Sequence, residues 1–470
     1  MSPVCRALTT ALVCAAFGAT PRLVLSQALQ PHQQLAREIY RELVEINSVT
    51  GTGDTARAAE AMAERLRAAG FADDDVHVLS PAPRKGNLVA RLRGSGARKP
   101  ILLLAHLDVV EAKRADWSLD PFQLHERDGY FYGRGTGDDK FMAAAFVANL
   151  IRYKQEGFKP DRDILVVLET DEEILDRNGV GIQWLLKNHR ALIDAEFALN
   201  EGAGVALRDG RPLRIGIQTS EKVPVNYVLE VTNPGGHSSL PTKDNAIYRL
   251  AEGLVRLSKF EFPVRLNQTT RAWLERGALL EEPQVAADMR SVASGELTGT
   301  AVERLSSKPA YNAQLRTTCV ATMLEGGHVF NALPQTARAT VNCRVLPGEA
   351  MEEVRSTLVR VLADEQISVT PTWTHVASAP SPLDPGLLET IERVSAQFWP
   401  GVPVIPSMTA GATDGSFLRN AGIPTYGHSG LALDVADVRF HGKDERIPVK
   451  SFYDGLEYQY RLVKALTSLR

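Results

Sequence analysis

At 470 residues, 44% of them hydrophobic and 23% charged, the chain has ordinary globular composition and is long enough for two or more cores. With 53 Lys and Arg against 56 Asp and Glu, a formal net charge of -3, it lacks the basic footprint of a nucleic-acid-binding protein. Past the N-terminus no stretch approaches the roughly 20 apolar residues of a transmembrane helix, so no stable membrane anchor is expected.

Residues 1–28 read as a cleaved signal peptide, which predicts a secreted or periplasmic protein. Arg6 precedes an acid-free apolar run from Ala7 to Ala19, and Ser26-Gln27-Ala28 offers small residues where a signal peptidase reads. Cys5 and Cys14 leave with that segment. For the remaining Cys319 and Cys343, buried thiols are the favoured reading and one disulfide the alternative.

From about residue 33 to 220 helices and strands alternate. Helices are expected near 33–45, 55–69, 141–155 and 182–188, and strands at 101–105, 164–168 and 197–199. This predicts an α/β catalytic domain with a mostly parallel central sheet flanked by helices. From 221 to 376 the order changes to strand 223–231, helix 245–258, a largely helical stretch 269–303, strands 317–323 and 337–345, and helix 351–365. That order predicts an inserted α+β domain. The Pro- and Ser-rich segment 377–385 reads as the return linker, and residues 377–470, with helix 386–398 and strand 423–426, resume the first domain.

Five polar elements fall at ends of these segments. The buried run Leu102–Ala105 ends in His106 and Asp108, two residues apart and so on one face of a strand. A carboxylate beside an imidazole can fix a metal-binding tautomer, though taken alone such a pair is more often structural. Tyr132 to Lys140 is a Gly-rich loop closing on Asp138 and Asp139. Glycines there let carboxylates approach a ligand, and the plain alternative is a turn with an acidic helix cap. Strand Leu165–Leu168 runs into Glu169, Asp171, Glu172 and Glu173, whose mutual repulsion a cation relieves if solvent does not. Strand Phe197–Leu199 delivers Glu201, and the returning segment carries the polar loop His441 to Arg446. Two His and several carboxylates at strand ends, where open sheets place their sites, form the inventory of a two-metal hydrolytic centre; mixed N and O donors suit zinc, with cobalt or manganese as substitutes.

Because all five elements occur in its order, the chain from about residue 35 resembles the aminoacylase and glutamate-carboxypeptidase family of di-zinc metallopeptidases, closest to its carboxypeptidase S and N-acyl-amino-acid hydrolase branch. The resemblance implies that His106, Glu201, Glu173 and His441 bind two zinc ions that Asp138 bridges. His106 would group with Glu201, and Glu173 with His441. Asp108 would orient His106, Glu172 would be the general base, and the Asp138–Asp139 peptide would be cis. The inserted domain would be the family's lid or dimerisation domain, implying a homodimer. There His237 in Pro234–Ser238 would reach an active site, often a partner's, to stabilise the oxyanion. Asn331 and Arg344 would hold substrate, the Arg by its carboxylate, and Thr413 and Asp414 would line the specificity side of the pocket. Two departures stand out: Ile174 to Arg177 intervene where the family has a Gly-rich stretch, and Phe141 replaces a frequent Gly.

The implied activity is hydrolysis, by zinc-activated water, of an amide next to a free carboxylate, in a small peptide or an N-acyl amino acid. The rivals are an aminopeptidase with the same metals and a metal-containing binding protein without turnover. The partly apolar insert from Thr269 to Val292 hints at a lid large enough to cover a long acyl group.

Overall fold

The computed structural model describes residues 28–468; the expected signal peptide, apart from Ala28, lies outside them. Among the described residues no helix is long and apolar enough to cross a membrane.

The chain's apolar strands assemble because they are buried on both faces. In Ile101–His106, Ile101, Leu103 and Ala105 enter one core while Leu102 and Leu104 enter another across the sheet. Ile164–Glu169 alternates likewise, with Ile164, Val166 and Leu168 opposite Leu165 and Val167. This double burial is what a helix-flanked, mainly parallel sheet requires. These strands sit at the centre of a ten-stranded sheet. Ile101–His106 pairs in parallel with Ile164–Glu169 on one side and Phe197–Asn200 on the other, and the latter with Thr425–Gly427. The carboxyl ends of these strands therefore meet at one edge, where the polar elements lie.

The sequence reading omits several elements of this domain: strands Val76–Ala82, Lys85–Leu92, Arg211–Glu221 and Val404–Thr409, and helix Val449–Leu466. Arg211–Glu221 carries Pro, Gly and three charged residues, so its local strand signal is weak; pairing with Val205–Arg208 and Val404–Thr409 makes it a strand.

A separate four-stranded antiparallel sheet joins Thr318–Gly326, Thr336–Val345, Val223–Thr232 and Ile367–Thr374. Val223, Val225, Tyr227, Leu229 and Val231 alternate into its core, which helices Ala246–Ser258 and Met351–Leu362 cover. Cys319 and Cys343 face each other across neighbouring strands and form a disulfide, so the favoured reading of free buried thiols is corrected. Their alignment depends on strand register, which no spacing of two cysteines reveals.

The helical stretch after residue 266 has its own small core and leans on the catalytic sheet. Arg276 Nη1 donates to the carbonyl of Val404 (2.8 Å), Gln314 Nε2 to that of Met408 (2.9 Å), and Thr219 and Thr269 hydroxyls pair at 2.7 Å.

Candidate metal centre

His106 ends its strand almost fully buried. Its Nδ1 donates to the backbone carbonyl of Asp108 at 2.9 Å, leaving Nε2 turned to Asp138 Oδ1 at 3.0 Å. The orienting contact is thus the carbonyl of Asp108; its carboxylate lies 3.8 Å from Nδ1. That carboxylate instead accepts the backbone N–H groups of Glu172 (3.2 Å) and Glu173 (3.1 Å) and the Thr50 hydroxyl (3.1 Å). Asp108 therefore ties two of the polar elements together.

The Gly-rich loop is held by a residue that local sequence does not single out. Glu445, fully buried, accepts from Gly137 N (2.9 Å) and Asp138 N (3.4 Å) through Oε1, and from Gly135 N (3.2 Å) and Arg134 Nη1 (2.7 Å) through Oε2. Arg134 Nη2 also donates to the carbonyls of Gly442 (3.0 Å) and His441 (3.4 Å), steadying His441 in a left-handed backbone at φ 60°. Tyr40 fixes the loop from below through the Thr136 carbonyl at 2.7 Å. At Gly137 a Cβ would lie 2.1 Å from the Phe440 ring, so only glycine fits. The Asp138–Asp139 peptide is cis. Because Glu445 positions ligands without being one, Glu445→Ala is expected to weaken metal affinity by about 10- to 100-fold, with an unchanged far-UV spectrum. Competition against a chelating indicator measures this, and unaltered affinity would remove Glu445 from the site.

After strand Ile164–Glu169 the chain makes a single 3-10 turn, Glu172–Ile174. The residues that depart from the family pattern close it: Asp176 accepts from Val180 N (2.8 Å), Gly181 N (3.0 Å) and Gln183 N (2.9 Å). Phe141 packs on Phe452 in the core, behind the Gly-rich loop.

These elements converge. Asp138 lies between two imidazoles, Oδ1 on His106 and Oδ2 3.1 Å from His441 Nε2, and His441 Nε2 is 2.9 Å from Glu173 Oε2. His106, Asp138 and Glu173 bring donor atoms within 4.8 Å of one another, and so do His106, Glu172 and Glu201. Burial, then the charge of Glu201, pushes Glu172 well above the usual carboxylate range, and burial with Asp138 pushes Glu201 up to about 8. Burial would also raise Asp138, but hydrogen bonds from His106 and His441 outweigh it and hold its carboxyl below the ordinary value. Bonds to Asp138 and Glu173 raise His441 to about 10; burial would lower His106, yet Asp138 and neighbouring carboxylates raise it. So much buried negative charge recruits protons, and a cation supplies the same positive charge. The donor set fits one: Glu173 Oε1 is buried without a hydrogen-bond partner, and imidazole with carboxylate is a zinc-type set.

The substrate residues expected from sequence are more scattered. Arg344 is half-buried, its Nη1 on the Ala410 carbonyl (3.1 Å) and its Nε on Asn342 Oδ1 (3.2 Å). Thr413 is buried and gives both N–H (2.8 Å) and hydroxyl (3.0 Å) to Glu221, which Arg419 also pairs. Asp414 is buried against Glu169. Thr413 therefore braces the loop Gly411–Asp414 from within, and the Asp414 carboxylate is buried beside that of Glu169. His237 and Asn331 are exposed on a two-stranded ribbon; the His237 ring accepts from Ser239 Oγ at 2.7 Å, and Asn331 is joined through its carbonyl to Ser238 N at 3.0 Å. Neither belongs to the metal cluster.

A cavity of about 540 Å³ adjoins the centre, with Asp138 and Glu201 in its wall.

A model of the peptidase family M20/M25/M40 matches residues 102–465. A carboxypeptidase S-like protein of Dictyostelium discoideum is 30% identical over 78% of this chain and 71% of its own length. The N-fatty-acyl-amino acid synthase/hydrolase of Homo sapiens is 30% identical over 78% of this chain and 74% of its own length. Human aminoacylase-1 is 26% identical over 92% and 95%. Among solved structures, an M20 family metallo-carboxypeptidase from Sulfolobus solfataricus superposes with a TM-score of 0.69 at 18% identity, covering 92% of this chain and 98% of that one.

Proposed function

Since the chain belongs to peptidase family M20/M25/M40, and is a metal-dependent hydrolase of amide bonds, we propose that it cleaves an amide adjacent to a free carboxylate, as a carboxypeptidase or N-acyl-amino-acid hydrolase. The observation that carries this reading is Asp138 set between His106 and His441, with Glu172, Glu173 and Glu201 gathered around them. In it, His106, Asp138, Glu173, Glu201 and His441 would hold two zinc ions, which when bound would supply Lewis acidity to the amide carbonyl and to a water near neutral pH.

Glu172 takes the proton from water and returns it to the leaving amine. Its place beside His106 and Glu201 puts it within reach of a water held there. Arg344 takes the substrate carboxylate: its contacts to Ala410 and Asn342 occupy Nη1 and Nε, which leaves Nη2 facing no protein acceptor among the described residues. His237 donates to the carbonyl oxygen when the ribbon that carries it is brought to the metals, by closure of its own lid or from a second copy of this chain.

One substrate panel tests these roles. Zinc-loaded protein is assayed on N-acetyl amino acids and dipeptides, each with a free or an amidated C-terminus. Free-carboxylate members are expected to be cleaved and their amides spared. Arg344→Ala should raise KM for the free forms about 10- to 100-fold, the worth of a charge-assisted hydrogen bond, and His237→Ala should lower kcat about 10²- to 10³-fold. Equal cleavage of amides would sink the carboxylate reading, and a requirement for a free amine would make the protein an aminopeptidase.

A further inference from the structure

Resting on the reading of Arg344 as the arm that takes the substrate carboxylate, we propose that the buried Glu221–Arg419 pair positions that arm, by holding the arch 409–413 on which its guanidinium docks.

Arg344 spans the junction between the two domains. Its backbone stands opposite Pro224 in the four-stranded sheet, just past Lys222, the single residue between strands Arg211–Glu221 and Val223–Thr232. Its tip rests on the catalytic domain, where Nη1 donates to the Ala410 carbonyl at 3.1 Å. Ala410 begins a short arch after strand Val404–Thr409. With Thr409 it lines the same cavity as Asp138, Glu201 and the helical insert's Trp273 and Tyr311. Where the guanidinium stands relative to the metal ligands therefore depends on where this arch stands.

The crown of the arch has little of its own to fix it. Ala410, Gly411 and Ala412 carry at most a methyl group, and Ala410 and Gly411 are exposed. Its feet stand instead on the crossing between the domains. At one foot the Thr409 carbonyl accepts the Lys222 N–H at 2.9 Å. At the other, Thr413 gives its N–H (2.8 Å) and hydroxyl (3.0 Å) to Glu221 Oε2. Glu221 Oε1 takes Arg419 Nη2, and Arg419 Nε donates to Ser378 Oγ at 2.9 Å. Ser378 lies in the return linker, so this one pair ties the arch to both places where the chain passes between domains. Both side chains are almost fully buried. Taking two charges out of water costs about as much as their attraction returns, so such a pair adds little net stability, whereas its charge-assisted bonds fix direction.

Replacing both partners by apolar residues of like length, Glu221→Met with Arg419→Met, removes the brace without stranding a buried charge. With zinc-loaded enzyme and an N-acetyl amino acid, KM is expected to rise about tenfold, a coupling usual within one hydrogen-bond network, while kcat and metal content change little. The product amino acid, titrated calorimetrically, should lose affinity by the same factor. In an Arg344→Ala background the same two changes should leave KM where Arg344→Ala alone puts it, because the arm that the arch serves is gone. Thr413→Val removes one bond at the foot and keeps the ion pair. It should raise KM about fivefold, again only when Arg344 is present, and it carries the test if the double variant fails to fold. A rise of equal size with and without Arg344, or no rise with it, overturns the positioning role and leaves the hydrolase reading intact. Loss of metal, or a fall in kcat alone, assigns the pair to the metal centre and overturns the role as well. If Arg344→Ala by itself leaves KM unchanged, the carboxylate reading fails and this role with it. No cleavage by the parent enzyme overturns the hydrolase reading and both.

Discussion

Glu172→Gln is expected to keep its metals and lose turnover, with kcat reduced by about 10²- to 10⁴-fold, the usual contribution of a general acid–base group. The substitution is nearly isosteric. The turn it sits on is held from outside by the Asp108 carboxylate through backbone N–H groups, which the change leaves untouched. What is lost is the acceptor for the water proton and the donor for the leaving amine. Metal content is the control, because Glu172 also lies within 4.8 Å of donor atoms on His106 and Glu201. Loss of metal in the variant would make Glu172 a ligand, and a near-normal rate would leave the reaction without an identified base.

Removing the metals with a chelator should abolish activity and leave a cluster whose own contribution to stability falls as pH rises. The sign follows from the buried groups. Glu201, with a folded-state value of about 8 against an ordinary 4.5, binds more protons folded than unfolded between those limits, so stability declines across that window. Glu172 is shifted in the same direction. His441, raised to about 10, contributes stability that is fully present below about 6.5 and lost as pH climbs through its folded value. Among these cluster residues Asp138, held below its ordinary value, acts in the other sense, and its stability is lost only below about pH 4. Elsewhere His375 and His428, lowered by burial to about 4, and Lys140 and Lys222, lowered to about 7, act in the opposite sense, so the cluster's part is read from the metal-dependent difference in Tm. Bound metal stabilises the ionised carboxylates and the neutral imidazoles, so the gain in Tm on adding zinc should widen from about pH 5 to pH 8. A metal-dependent gain that is constant with pH would argue that these groups do not face the metals.

Much of the candidate ligand inventory was legible because His106, Glu172, Glu173 and Glu201 follow apolar strands, while Asp138 and His441 stand in polar loops. Leu102–Ala105 before His106, and Leu165–Leu168 before the acids, are apolar runs bounded by charge, and in an α/β sheet such boundaries fall at one edge. The supporting residues were not legible. Glu445 reads as one acid among several in a polar loop, and its role exists only because strand Arg446–Pro448 pairs with Tyr130–Tyr132 and sets the loop against Gly135–Asp138. Asp108 was read correctly as a neighbour of His106, yet its carboxylate is drawn to two N–H groups over sixty residues away. For Thr413 and Asp414 the loop motif indicates residue identity without direction, and both side chains are buried, Thr413 on Glu221.

By itself the sequence determined the family, the order of the strongly patterned elements and a candidate set of metal-binding side chains, since periodicity and strand-end polarity are local properties of the chain. Only the tertiary structure decided which atoms meet. It set Asp138 between two imidazoles from segments about 300 residues apart, joined Cys319 to Cys343 through strand register, and turned the helical insert into a wall of the cavity. Those outcomes depend on pairing and packing between distant segments, and no local pattern encodes them.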